Sequence, residues 1–98
     1  RAMTGSSRAQ VLTPPGRGAI AVIRLEATPE ALKEVLERAF TPASAGSPII
    51  GRVGGLKYGR WMEGGTGEDV VLAFVPNGVE IQCHGGPAPV ERILNSLA

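Results

Sequence analysis

The residues best suited to chemistry lie where a predicted strand runs into a glycine-rich turn, in residues 79–87 (Val-Glu-Ile-Gln-Cys-His-Gly-Gly-Pro). Side chains alternate along a strand, so Cys83 and His84 are expected on opposite faces of the sheet. The two glycines permit positive φ angles, and Pro87 presets the first turn of a following helix. This corner is therefore a candidate ligand site, with a turn that merely requires glycine as the plain alternative.

A thiol beside an imidazole could supply a nucleophile and its base. Adjacent strand residues seldom meet, however, so we expect Cys83 to be a small core residue on the face that it shares with Val79 and Ile81. Zinc requires about four nitrogen or sulfur ligands, and the chain has one cysteine and one histidine. We therefore expect neither a thiol catalyst nor a metal centre.

Arg24 and Glu80 stand out because each interrupts an otherwise apolar strand. A charge inside a protein is costly unless it finds a partner. Two interpretations stay open on this ground alone. The two side chains pair with each other, or they hold a polar ligand.

Bulk properties restrict the class of protein. The 98 residues suffice for one small domain, which is 43% hydrophobic and 19% charged with a net charge of +1. This charge gives no case for direct nucleic-acid binding. One cysteine excludes an internal disulfide and suggests a cytoplasmic setting, and no apolar run is long enough to span a membrane. A Gly-Lys-Ser/Thr phosphate loop is also lacking, so this chain alone is not expected to hydrolyse GTP.

The elements that must position these residues follow from periodicity. A buried strand is predicted over residues 19–25, and a helix over 29–40 begins with Thr28 as its N-cap. Strands over 56–62 and 69–76 should form an antiparallel hairpin, and Asn77-Gly78 should turn the chain back so that Val79 lies beside Phe74. A second helix is predicted over 88–98. The fold class is therefore α+β, a mixed, mostly antiparallel sheet with two helices, formed by residues 9–98 after a tail over 1–8.

Four motifs together resemble a known family. They are Thr-Pro-Pro-Gly-Arg-Gly at residues 13–18, the strand that ends in Arg24-Leu25, Tyr58-Gly59-Arg60, and the segment over 79–87. In this order and spacing they are similar to the N-terminal domain of the MnmE (TrmE) family of tRNA modification GTPases, from about Ala9 to the end of the chain.

The resemblance implies a fold similar to the tetrahydrofolate-binding domains of aminomethyltransferases, and a homodimer that binds a reduced folate at its interface. The family's folate-contacting arginine and glutamate fall on Arg24 and Glu80, with the turns over 14–18 and 83–86 shaping the site. The full-length relatives add a helical domain and a GTPase domain that uses potassium and magnesium. They work with an FAD-containing MnmG-type partner on the wobble uridine of tRNA.

One departure bears on the site. Where the family has a Ser-aromatic-Thr-Gly-Glu-Asp loop before the strand at Val79, this chain has only Asn77-Gly78. Either this loop is deleted from the protein, or its residues are missing from the sequence as it is numbered. A deletion would alter the wall of the folate pocket. A purely structural dimerisation domain with a degenerate pocket is therefore the alternative, and an aminomethyltransferase-like fragment with its own folate chemistry is a third.

Overall fold

The computed structural model describes residues 7–12, 20–44, 46–63 and 66–97. Within these ranges the chain forms one six-stranded sheet in the order β1-β2-β6-β5-β4-β3, and every neighbouring pair is antiparallel. The elements, in chain order, are β1 (Ser7–Val11), β2 (Ile20–Ala27), α1 (Pro29–Ala39), β3 (Phe40–Pro42), β4 (Leu56–Glu63), β5 (Thr66–Val75), β6 (Gly78–His84) and α2 (Pro87–Leu97). The predicted α+β class is confirmed.

Helix α1 begins where its capping residues place it. The Thr28 hydroxyl accepts a hydrogen bond from the Ala31 backbone N–H, and Pro29 occupies the first turn. The helix ends one residue earlier than predicted, because Phe40 adopts extended backbone and begins β3 opposite Trp61. Phe40 has the helical spacing of a core residue, but it reaches the core from a strand.

The hairpins follow the predicted order with small shifts. Strands β4 and β5 pair along their whole length, and β5 begins at Thr66, three residues before the predicted start. Phe74 lies opposite Val79 as expected. Because Val75 pairs with Gly78, the connection consists of Pro76 and Asn77, and Asn77 has a φ of 69°. Proline followed by a residue with positive φ matches a type II turn.

Both helices pack on one face of the sheet and bury its apolar side chains. The chain crosses from β2, near one edge, to β3, at the other, by way of α1. Helix α2 returns over β4 and β6. The largest fully buried side chains in the described part of the chain are Trp61, Ile23, Leu25, Leu36, Leu72, Ile81, Ile93 and Val79. Neither helix covers the opposite face, which is called the open face below.

Two predicted features fall at the limits of the described residues. Strand β1 begins at Ser7, so regular structure starts two residues before the predicted domain boundary at Ala9. Residues 1–6 lie outside the described ranges, as does the turn over 14–18 that was expected to shape the site.

Candidate functional site

Arg24 on β2 and Glu80 on β6 lie directly opposite each other in the antiparallel register. The Arg24 Nη2 donates to Glu80 Oε2 at 2.6 Å, and Nε donates to the same oxygen at 3.2 Å. Of the two interpretations left open by the sequence, the first therefore holds in this structure. The two charges, 56 positions apart in sequence, form a cross-strand ion pair.

This pair is half-buried rather than enclosed. The side chain of Arg24 is 40% exposed and that of Glu80 is 23% exposed. Because both guanidinium donors go to Oε2, no side chain in the described part of the chain donates to Oε1 of Glu80. The carboxylate therefore keeps Oε1 as a further acceptor, and the pair can receive another hydrogen-bonding group.

The pair lies on the open face, within rows of side chains that run across the strands. Reading from β2 to β4, one row consists of Arg24, Glu80, Ala73 and Leu56. The adjoining row consists of Val22, Gln82, Val71 and Tyr58. Several of these residues are apolar. The open face is therefore largely hydrophobic, with a few polar groups among the apolar side chains.

A groove of about 630 Å³ occupies the same face beside the ion pair. Its apolar walls include Ile20, Val71 and Pro42, and Tyr58 contributes an aromatic ring. Polar atoms come from Gln82, His84 and an ion pair between Arg60 and Asp69, whose atoms Nη1 and Oδ1 lie 2.9 Å apart. The groove therefore offers a hydrophobic slot with polar groups along its floor and rim.

The glycine corner adjoins the groove and not the ion pair. Gly86 has a φ of 106°, which confirms the expected positive angle at one of the two glycines. Gly85 lies five positions beyond Glu80, or roughly 17 Å at about 3.4 Å per residue. The predicted turn over 83–86 and the predicted contacts Arg24 and Glu80 thus mark two ends of one face.

Cys83 is a buried core residue, as the sequence predicted. Its side chain is buried on the helix-bearing face, whereas His84 is exposed on the open face. Burial raises the pKa of the Cys83 thiol to about 11, with a smaller contribution from the nearby Glu68 carboxylate. A thiol that stays protonated at neutral pH is a poor nucleophile.

Nothing in the described ranges gathers three or more residues of the kinds that bind metal ions. Of the two helices described, neither has the length and apolar character needed to cross a membrane.

Comparison with known proteins identifies the relatives of this chain. It is 38% identical over 96 residues to the tRNA modification GTPase MnmE of Roseiflexus castenholzii, an alignment that covers 88% of this chain. The proteins of the same name from Syntrophomonas wolfei and Thermotoga maritima are 32% and 36% identical, over 97% and 87% of this chain. The chain is similar to one region of the MnmE proteins. It matches the N-terminal region of these proteins.

The match to MnmE is confined to one part of those relatives. This chain spans about a fifth of their length, between 19% and 23% in the three proteins named. No protein-family model matches the chain. The MnmE relationship therefore identifies an N-terminal module and leaves the remaining four-fifths of the relatives without a counterpart in this sequence.

Sequence reasoning singled out Arg24 and Glu80 but missed the groove. Gln82 and Tyr58 each lie two positions along their own strand from another residue of the open face. The alternation of side chains along a strand was therefore the signal that could have assigned both residues to this face. Alternation assigns a face to each side chain, but it does not reveal which strands are neighbours. The register was needed to bring Gln82 into one row with Tyr58.

Proposed function

We propose that this domain binds a tetrahydrofolate derivative and forms a homodimer, as the N-terminal module of a cytoplasmic tRNA modification GTPase. The observation that carries this proposal is the Arg24–Glu80 ion pair on a sheet face that neither helix covers. The relatives carry the name tRNA modification GTPase, which supports the part of the proposal that concerns tRNA modification. A purely structural dimerisation domain is the competing function.

The chemistry of the pair suits the pterin ring of a folate. A carboxylate can accept paired hydrogen bonds from the N–H groups along one edge of a pterin, and Glu80 Oε1 is available for this. An arginine can donate to a pterin carbonyl from the side of its guanidinium that does not face Glu80. In the free domain each charge compensates the other. The site is thus held in position before a ligand arrives.

Dimerisation would cover the open face. Ile20, Leu56 and Tyr58 are large side chains that are 60%, 56% and 62% exposed on this face. Exposed apolar surface of this kind is typical of a binding surface. A second copy of the domain would remove it from water and would enclose a ligand held at Arg24 and Glu80.

The reaction itself belongs to the full-length protein in this proposal. GTP hydrolysis with potassium and magnesium, contact with an MnmG-type FAD protein and action on tRNA need parts that this sequence does not contain. The module would contribute a one-carbon carrier and a dimer to the 5-carboxymethylaminomethyl modification of the wobble uridine. It would perform no catalysis of its own.

Calorimetric titration with 5-formyltetrahydrofolate, on a sample whose mass in solution has been measured, tests this function. We expect Arg24→Ala and Glu80→Ala each to weaken binding by about 1–3 kcal/mol, because each removes hydrogen bonds that involve a charged group. Arg92→Ala is the matched control. It breaks an ion pair with Glu68, at 2.7 Å, and Glu68 lies on the helix-bearing face.

The outcomes separate the two functions. A dimeric sample that releases no heat with the folate would contradict ligand binding and favour the structural domain. Binding that both site variants leave unchanged would refute the assignment of Arg24 and Glu80. A monomer at every concentration tested would remove the dimer from the proposal.

A further inference from the structure

A second, smaller cavity lies at the edge of the sheet, where the chain leaves β3. Ser44 and Ser47 of the loop after β3 and Lys57 of β4 contribute to its lining, and it is called the edge cavity below. Its volume is about 140 Å³, against about 630 Å³ for the groove of the open face, so it suits an ion or a small group. We propose that the edge cavity binds a phosphate group through Lys57 and Ser47. This proposal does not depend on folate binding.

Lys57 brings a positive charge to the edge cavity. Leu56 and Tyr58 project from the open face, so Lys57, which lies between them in β4, projects from the other side of the strand. The residue is half-buried, and its Nζ donates to the Ser47 hydroxyl at 2.6 Å. The ammonium group is thus held against the loop after β3 and not over the Arg24–Glu80 pair.

The charge of Lys57 has no carboxylate partner within the described ranges, where each ion pair involves an arginine. The surrounding sequence offers none either, since no Asp or Glu occurs between Glu37 and Glu63. A half-buried ammonium group without a counter-ion has lost part of its hydration, which costs free energy. A bound anion would offset that cost.

The edge cavity is rich in hydrogen-bond donors. A lysine ammonium group has three N–H bonds, and Lys57 uses one of them on Ser47. Because the Ser47 hydroxyl oxygen accepts that bond, its own O–H can donate, and no residue in the part of the chain that the structure describes accepts from it. Two N–H groups and one O–H group beside a positive charge suit the oxygens of a phosphate, for which lysine is a common protein ligand.

Backbone hydrogen bonds hold both sides of the edge cavity in place. The Ser47 N–H donates to the Ser44 carbonyl at 3.2 Å, and Gly46, just before Ser47, has a φ of 79°. Glycine reaches this angle without steric cost. On the other side, the Ala43 N–H donates to the Tyr58 carbonyl at 2.9 Å and extends the pairing of β3 with β4 by one residue. The donors are therefore positioned before an anion arrives.

NMR titration of the ¹⁵N-labelled protein with inorganic phosphate, at an ionic strength kept constant with chloride, tests this site. We expect the backbone signals of Ser44, Ser47 and Lys57 to shift along one binding curve. Lys57→Gln should weaken phosphate binding at least tenfold, because it removes a charge-assisted hydrogen bond. Lys33→Gln makes the same change at an exposed position of α1 and is the matched control, which should leave the curve unchanged.

Two further measurements keep the test decisive if Lys57→Gln folds poorly. Ser47→Ala retains the charge and removes the hydroxyl, and it should weaken phosphate binding about fivefold. Methyl phosphate distinguishes the sources of the ligand. Tighter binding than inorganic phosphate would assign the cavity to the phosphate group of an organic molecule, and weaker binding would assign it to the free ion.

Three results would overturn the proposal. One is the lack of any saturable shift with phosphate, which would show that the contact between Lys57 and Ser47 only fastens the loop to β4. Another is the same binding curve in the Lys57→Gln protein. The third is an equal response to acetate at the same ionic strength, which would show that the cavity does not select phosphate.

Discussion

Replacing Ser96 with alanine is expected to destabilise the domain by about 0.5–2.5 kcal/mol, although the change removes a single oxygen. Trp61, which is 2% exposed, donates its indole Nε1–H to the Ser96 hydroxyl at 2.7 Å. That hydroxyl in turn donates to the Ile93 carbonyl at 2.7 Å. The contact fastens α2 to β4, the strand that carries Tyr58 on its other face.

The magnitude follows from what each partner loses. Without the hydroxyl, the buried indole N–H has no acceptor, which costs about 1–3 kcal/mol. The Ile93 carbonyl lies within helix α2 and stays among backbone groups, so its loss of the serine hydroxyl adds little to the cost. Alanine is a better helix former than serine and returns about 0.5 kcal/mol. The balance is a loss of about 0.5–2.5 kcal/mol.

Urea denaturation measures this loss, followed by the fluorescence of the protein's one tryptophan. Trp61→Phe gives a second background that lacks the indole N–H, in which unfolding is followed by circular dichroism. In that background the Ser96→Ala change should have almost no effect, since nothing is left unpaired. Ser44→Ala, at an exposed position, is the control for a plain serine replacement.

Two results would refute the reasoning. One is a Ser96→Ala protein as stable as the original. The other is an equal loss from Ser96→Ala in the original protein and in the Trp61→Phe background, which would show that the hydroxyl stabilises the helix and not the contact between α2 and β4.

Two further predictions concern the β5–β6 turn and the core thiol. Asn77→Ala should destabilise the domain by about 1 kcal/mol, because alanine disfavours a φ of 69°, whereas Asn77→Gly should be nearly neutral; midpoints of thermal unfolding compare them. Burial raises the pKa of Cys83 to about 11, so the folded state retains a proton that the unfolded chain releases near pH 9. Stability should therefore fall as the pH rises from about 9 towards 11, by about 1 kcal/mol at pH 10. Urea titrations at pH 7 and pH 10 should show this fall in the original protein and not in Cys83→Ala, and equal pH dependence in both would contradict it.

The predictions that the sequence supported were those set by local patterns. Helix α1 has a capping threonine, a first-turn proline and apolar residues at helical spacing, and all three act within a few residues of one another. The hairpin of β4 and β5 and the turn before Val79 likewise depend on neighbouring segments. Alternation also separated Cys83 from His84, because a strand gives successive side chains opposite faces.

Edge strands and the end of α1 could not be predicted in the same way. Strand β1 has only five residues, and its pairing with β2 gives it a regular conformation. Phe40 continues the apolar spacing of α1, but it leaves the helix because its backbone pairs with Trp61, 21 positions further along the chain. A partner that distant leaves no trace in the local pattern.

The sequence by itself determined that Arg24 and Glu80 are exceptional, because a charge within an apolar strand is visible in one dimension. Only the tertiary structure decided that they face each other, since their contact depends on the register that places Ile23 opposite Ile81. The groove was decided in the same way, by an order of strands that brings Ile20, Tyr58 and Gln82 to one face. Side-chain alternation is a property of a single strand, whereas a binding surface is a property of several strands in a particular order.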